Sequence, residues 1–406
     1  MKIPKGFNVQ GSKKDWALLL IKNVYGAKSA GRTWALFLRD GLLRRGFTQS
    51  NYDECVYYYK KAVIMIYVDD TMVLSPDKDT IKEIISSLQN ESSKGANDAF
   101  DLQDEGDVNE FLGVKIKSDD DGRIHMTQPH LIETILKDLG FTNDTKSVDI
   151  PDNSRSPLLP CDSDPPHERF HYPSIIGKLN FLIQSTRPDL EVAVDQCARY
   201  NKNPKLGHTK AIKKIGRYLQ GTHDKGIILN TNNEQGLECW VDASFAGDWD
   251  KEHAMDDPRT AKSRTGYIIT YAGCPITWAS KMQTEIALSS TEAEYIALST
   301  AMREVKPLIG LIREAIKQDI KMNANQPNVH CKIFEDNSGV IELVNVPKIR
   351  PRTKHLNLKY HFFRSMVKDK TISIHYVKSE DQIADLLMKP LGINQFQKLR
   401  KLINGW

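Results

Sequence analysis

From residue 236 onward the chain reads strand, strand, strand, long helix, strand, helices, strand, helix, and this order constrains its fold more than any other feature. Strands are expected over 237–242, 266–271, 275–280, 329–336 and 371–377, where short apolar runs are bounded by turn residues. The 290–316 stretch repeats its apolar residues at helical spacing and is too long for a strand. A sheet and a helix each bury one apolar side against another layer, so the segment is expected to form an α/β domain with a mixed five-stranded sheet.

The preceding half is organised differently. Residues 1–150 alternate short helical and strand patterns: a helix over 30–45, a hairpin over 56–75, strands over 111–116 and 123–127 turned by Asp121-Gly122, and a helix over 130–139. A Pro-rich stretch at 151–173, with Pro151, Pro157, Pro160, Pro165, Pro166 and Pro173 among polar residues, reads as a linker. A helical segment over 174–235 follows, then the α/β domain over 236–391 and a basic amphipathic helical tail over 392–406. At 406 residues there is room for two or three domains, and 40% hydrophobic with 27% charged residues excludes a largely disordered chain. The most apolar run, 62–68, is far shorter than the roughly 20 residues of a membrane span, and MKIPKGF lacks the apolar core of a secretory signal. An intracellular protein with no membrane partner is expected. Cys55, Cys161, Cys197, Cys239, Cys274 and Cys331 are scattered singly, without zinc spacing, and read as reduced thiols.

Four acidic residues stand at the edges of regular elements in the α/β domain. Asp242 ends a strand in CWVDASF, Glu292 begins a helix in ALSSTEAEY, Asp336 ends a strand in KIFEDNSG, and Asp385 opens a helix in EDQIADLL. Such positions can converge on one rim of a sheet, where clustered carboxylates suit Mg²⁺ and the two-metal hydrolysis of a phosphodiester. Singly, each has a plainer reading. Glu292 completes a capping box with Ser289, Glu294 completes one with Thr291, and the aspartates suit strand-end turns.

Two further features concern nucleic acid. Lys210, Lys213, Lys214 and Arg217 recur at i, i+3, i+4 and i+7 opposite Ala211, Ile215, Tyr218 and Leu219, making a helix with one basic face, suited either to solvent or to a phosphate backbone. The net charge of +4 is too small to add a general attraction. In the first half, Asp69 and Asp70 of YVDD lie in a tight turn between two apolar strands, where paired carboxylates could hold Mg²⁺ against a triphosphate.

The runs VDASFAGDWD, SRTGYIITYAGCPITWASKMQTEIALSSTEAEYIALS, EDNSGVIELV, RTKHLNLKYHFFR and SEDQIADLLMKPL resemble the ribonuclease H domain of copia-type LTR retrotransposons over nearly all of 236–391. NVYGAKSAGRTWALFL, YVDD, FLGVKI, HYPSIIGKLNFLIQSTRPDL and AIKKIGRYLQGT resemble the same elements' reverse transcriptase over most of 5–230. The resemblance implies an α+β partial palm and helical thumb followed by a ribonuclease H-like domain. It implies that Asp242, Glu292, Asp336 and Asp385 bind two Mg²⁺ ions, with Mn²⁺ as a substitute, and cleave the RNA strand of an RNA–DNA hybrid. Asp69 and Asp70 would then serve polymerisation on a primer-template.

Ser29 and Gly31 stand where the family usually has glutamine and proline, and Lys378-Ser379-Glu380 fills a loop where related nucleases carry a histidine. His355 and His361 precede the last strand and read as substrate contacts or, in preference, as packing residues. The family's first palm aspartate lies upstream of the PKGF segment; Asp15, Asp40 and Asp53 do not match it. The polymerase half is therefore expected to need an upstream polyprotein segment. The competing expectation is a catalytically silent, nucleic-acid-binding remnant.

Overall fold

The computed structural model describes all residues but 1, 4, 20–22, 25, 153–157, 160–162, 167–169, 248, 250–257, 323–328 and 346–361. His355 and His361 lie outside the described residues, as does part of the Pro-rich stretch. The chain forms two compact units, one of Met1–Asp107 with Glu314–Ile320 and one of Val108–Arg313 with Lys321–Trp406. The boundary thus falls at 107/108, ahead of the Pro-rich stretch rather than within it.

In the first unit, helix α1 (Ala30–Arg44) precedes strands β1 (Thr48–Gln49), β2 (Val56–Tyr59), β3 (Ala62–Tyr67) and β4 (Asp70–Leu74), which pair in that order, and helix α2 (Lys78–Gln89) follows. The expected hairpin over 56–75 is three strands, turned at Lys60 and Val68, both with positive φ. Alternation along β3 buries Ala62, Ile64 and Ile66, which meet Leu42 of α1 and Ile84 and Leu88 of α2 in one core.

The second unit opens with β5 (Glu110–Phe111), β6 (Val114–Ser118) and β7 (Ile124–Thr127). Residues 111–116 are not one strand, because Leu112 and Gly113 both take positive φ and turn β5 onto β6. Helices α3 (Pro129–Asp138), α4 (Tyr172–Ser185), α5 (Glu191–Ala198) and α6 (Leu206–Gly221) follow, then β8 (Ile227–Leu229), which pairs with β7.

The remaining strands are β9 (Leu237–Ser244), β10 (Arg264–Tyr271), β11 (Cys274–Met282), β12 (Cys331–Glu335) and β13 (Ile372–Tyr376). They form the expected mixed five-stranded sheet in the order β11-β10-β9-β12-β13, antiparallel on the β10 side of β9 and parallel on the β12 side. Helix α7 (Ser290–Lys317) covers one face, joined by α8 (Ser338–Asn345) and α9 (Arg364–Lys368). Cys239, Val241, Ile269 and Ile333 pack there with Ala297, Leu298, Met302 and Val305.

The opposite face is covered by α4–α6 and by α10 (Ile393–Asn404). Ile268 and Trp240 share a core with Leu182, Val194 and Leu399, and Trp278 Nε1 donates to the Ile183 carbonyl at 2.9 Å. Both faces of the sheet are thus buried, which is why β9 and β10 are buried at nearly every position. Burying one Leu- or Ile-sized side chain in such a core contributes roughly 1.5–3 kcal/mol. The helices over 172–221, expected as a segment apart, therefore complete the sheet's own core. Among the described residues, no helix is long and apolar enough to cross a membrane.

Candidate functional site

Three carboxylates come together on the sheet rim: Asp242 of β9, Glu294 of the first turns of α7, and Asp336 just after β12, with one oxygen of each lying within 4.8 Å of the others. Asp385 lies beside them, close enough for its charge to act on Asp242. It lies in a short 3₁₀ helix, Ile383–Leu387, rather than opening an α-helix as its sequence suggested. Asp242, Glu294 and Asp385 are each under 9% exposed.

Glu292 is not in this cluster. Its carboxylate accepts the Leu288 N–H at 2.8 Å while Ser289 Oγ accepts the Glu292 N–H at 3.2 Å, so the capping reading describes it and the metal reading passes to Glu294. The helix itself carried a signal for this. Glu294 lies on the line of Leu298, Ala301 and Val305, one, two and three turns further on, all fully buried.

Local structure aims each group. Gln382 Nε2 donates to the Val241 carbonyl at 2.9 Å, tying the 383–387 segment to β9 beside Asp242. Gly266 faces Asp242 across the β9–β10 pair, and a Cβ there would lie 2.1 Å from Met388 Sδ, so any larger residue has to displace the buried Met388 side chain or the segment that carries it. Lys389 Nζ pairs with Asp385 at 2.8 Å, and Ser379 Oγ, in the loop without a histidine, donates to Asp336 Oδ2 at 2.6 Å. Asn337 Oδ1 accepts the Gly339 N–H at 2.9 Å and caps α8, fixing the turn after Asp336.

Burial and mutual repulsion make the centre hard to ionise. Desolvation, then the Asp385 charge, pushes the Asp242 carboxyl up to about 8. Desolvation, with Asp242 and Glu335 beside it, pushes Glu294 up to about 11. Glu335 is also raised well above the usual carboxylate range, mainly by burial. Sequence reasoning passed over Glu335, though strand alternation places it on the buried register of Cys331 and Ile333. A cleft of about 600 Å³ adjoins Asp385, lined in part by Ser244, Lys262, Ser379, Lys389 and Gln395.

The other expected residues lie elsewhere. Asp69 and Asp70 are exposed at the β3–β4 turn, whose Val68 carbonyl accepts from Trp34 Nε1 at 2.9 Å. On α6, Lys210 is exposed and Lys213 and Arg217 are partly exposed, whereas Lys214 Nζ is turned onto the Asp152 carbonyl. Of the cysteines, Cys197, Cys239, Cys274 and Cys331 are buried thiols and Cys55 is exposed; Cys161 lies outside the described residues.

Residues 1–153 of the chain match the family model for reverse transcriptase (RNA-dependent DNA polymerase). Over its full length it is a homologue of the Pol polyproteins of copia-type plant transposons, as its motifs implied. It is 32% identical over 412 residues to the retrovirus-related Pol polyprotein from transposon RE2 of Arabidopsis thaliana, and 31% over 415 residues to that from transposon TNT 1-94 of Nicotiana tabacum. Each match covers 99% of this chain, which spans only 26% and 29% of those relatives. The solved structure of LC11-RNase H1 from compost, at 16% identity and a TM-score of 0.27 over 38% of this chain and 93% of that one, is too distant to bear on the fold.

Proposed function

We propose that the second unit is a divalent-metal-dependent nuclease of the ribonuclease H type, cleaving the RNA strand of RNA–DNA hybrids, within a retrotransposon reverse transcriptase/ribonuclease H region. The observation that carries this reading is the convergence of Asp242, Glu294 and Asp336 from three separate elements, with the Asp385 charge acting on Asp242. The donors fit Mg²⁺ or Mn²⁺: all are hard carboxylate oxygens, and Glu294 Oε2 is buried without a hydrogen-bond partner. Uncompensated carboxylates at this spacing repel by about 4 kcal/mol at an effective dielectric near 20, and a cation relieves that cost.

Two ions held by Asp242, Glu294, Asp336 and Asp385 would supply Lewis acidity toward the scissile phosphodiester. The chain's own residues set the geometry. Ser379 orients Asp336, Lys389 orients Asp385, and Lys262 and Lys389 give the adjoining cleft a cationic lining for a nucleic-acid backbone. Lys210, Lys213 and Arg217 of α6 offer further phosphate contacts, Lys214 being engaged with Asp152. Recognition of a hybrid then depends on helix shape and backbone more than on base sequence.

The reverse transcriptase region, with Asp69 and Asp70 as its paired carboxylates and a primer-template as its substrate, is proposed to need an upstream polyprotein segment to polymerise. Among the described residues, no third carboxylate joins Asp69 and Asp70 in a metal-sized cluster, and Asp40 is paired with Arg39 instead. The test of the nuclease reading is cleavage of a labelled RNA–DNA hybrid across a Mg²⁺ titration. Metal-dependent cleavage of the RNA strand, abolished in Asp242→Asn and Asp336→Asn, supports it. Salt-sensitive binding without cleavage would instead support a silent nucleic-acid-binding remnant.

A further inference from the structure

We infer that Ser373, on the outer strand of the five-stranded sheet, is an activated nucleophile held between His330 and His375, open to covalent modification by activated acyl and phosphoryl esters. The site lies in the second unit, outside the acidic centre, and does not rest on the nuclease reading. β13 is the last strand in the sheet order, Ser373 is half-buried and His375 is exposed, so the group can be reached from solvent. Tyr376 pairs with Glu335 at the rim, which puts Ser373 roughly 10 Å down the strand from it at about 3.3 Å per residue.

His330 Nδ1 lies 2.8 Å from the Lys370 carbonyl oxygen, its Nε2 lies 2.7 Å from Ser373 Oγ, and Ser373 Oγ lies 2.6 Å from His375 Nε2. The first of these contacts fixes the protons of the others. A carbonyl oxygen only accepts, so His330 Nδ1 carries a proton and donates it. In the neutral ring Nε2 is then the acceptor, and the Ser373 hydroxyl donates to it. With its one proton committed, Ser373 Oγ accepts from His375 Nε2. The chain of bonds runs one way, from His375 through Ser373 to His330 and the Lys370 carbonyl.

That direction is the one a nucleophile requires: a base placed to take the hydroxyl proton, and a third group that holds the base in the right tautomer. His375 steadies the oxygen as its proton leaves. Lys332 pairs in register with Ser373 and is exposed, which lets its ammonium reach the oxyanion that forms on attack. In the modification step Ser373 Oγ bonds to the acyl carbon or the phosphorus, the bond to the leaving group breaks, the leaving group departs as its anion, and the serine proton stays on His330 Nε2.

The probe is ethyl p-nitrophenyl methylphosphonate applied to the full chain; release of p-nitrophenolate is followed by absorbance and the stable adduct is located by peptide mass mapping. In the wild type, Ser373 is expected to be labelled at least about tenfold faster than the exposed Ser118 of β6, a comparison made within one folded protein. His330→Gln is expected to slow labelling of Ser373 about a hundredfold, the lower end of what a positioned base contributes. His375→Gln and Lys332→Met should each slow it by a smaller factor, and Ser373→Ala should abolish the adduct on the 371–377 strand. Labelling of Ser373 no faster than Ser118, or a rate that His330→Gln leaves unchanged, overturns the inference and leaves the three side chains as a structural link between β12 and β13.

Discussion

Replacing Gly266 by alanine tests how the site is assembled, because it adds one methyl at the point where two segments meet. The new Cβ would stand 2.1 Å from Met388 Sδ, 3.0 Å from Met388 Cγ and 3.4 Å from Leu387 Cβ. Carbon-sized atoms rest about 3.5–4.0 Å apart, so something has to move by more than about 1 Å. Met388 is only 4% exposed, which leaves its side chain little room to turn aside. The movement is therefore expected in the 383–387 segment, carrying Asp385 away from Asp242. Overpacking of this kind costs about 1–3 kcal/mol.

Urea denaturation of Gly266→Ala should show a loss in that range, and Mg²⁺-dependent thermal stabilisation should weaken with it. Met388→Ala alone is expected to lose about 2–4 kcal/mol by leaving a cavity. The double variant should be more stable than the sum of the two losses by about 1 kcal/mol or more, since each change removes the other's defect. A Gly266→Ala protein within 0.5 kcal/mol of wild type and unchanged in its metal response would refute the argument that this glycine seats Asp385.

Two further outcomes follow from the same geometry. Asp189 is buried against Arg187, with Tyr218 and Asn404 Nδ2 also donating to it, so Asp189→Ala strands a buried cation and should cost about 3–5 kcal/mol in urea denaturation; a change under 1 kcal/mol would show that the network does not hold α10 in place. In chelator, stability should fall as pH rises from 5.5 to 7.5. Asp242 keeps its proton in the folded chain up to about 8 but loses it near 4 when unfolded, so the folded state binds the extra proton throughout that window. The slope should shrink in Asp242→Asn and flatten in saturating Mg²⁺, and urea midpoints that rise with pH without this dependence would contradict the account.

The order of strands and helices after residue 236 was legible because both faces of the sheet are buried and α7 is long. Asp242, Asp336 and Asp385 could be read as strand-end or helix-edge acids, and the structure brings them together. The glutamate was harder, because SSTE and TEAE both satisfy the same capping pattern, and only packing distinguishes Glu294 from Glu292. Backbone turns left no unambiguous trace: Lys60, Val68 and Leu112 adopt positive φ without being glycine, so the extra turn in 56–75 and the break in 111–116 were hidden. The boundary at 107/108 was missed for a different reason. Proline content marks an extended stretch, but which side of it shares a core is decided by long-range packing, here of Leu182, Val194 and Leu399 against Ile268.

The account's central claim is that the carboxylates meeting at the sheet rim, and not those that merely pattern well in sequence, form the cleavage centre. Hybrid cleavage by Glu294→Gln and Glu292→Gln, compared side by side at saturating Mg²⁺, tests it most directly. Glu294→Gln should lose at least about a hundredfold in rate, a transition-state cost near 2.7 kcal/mol, while Glu292→Gln stays within about threefold of wild type. The reverse ranking, or equal losses in both, would contradict the geometry on which the proposed function stands.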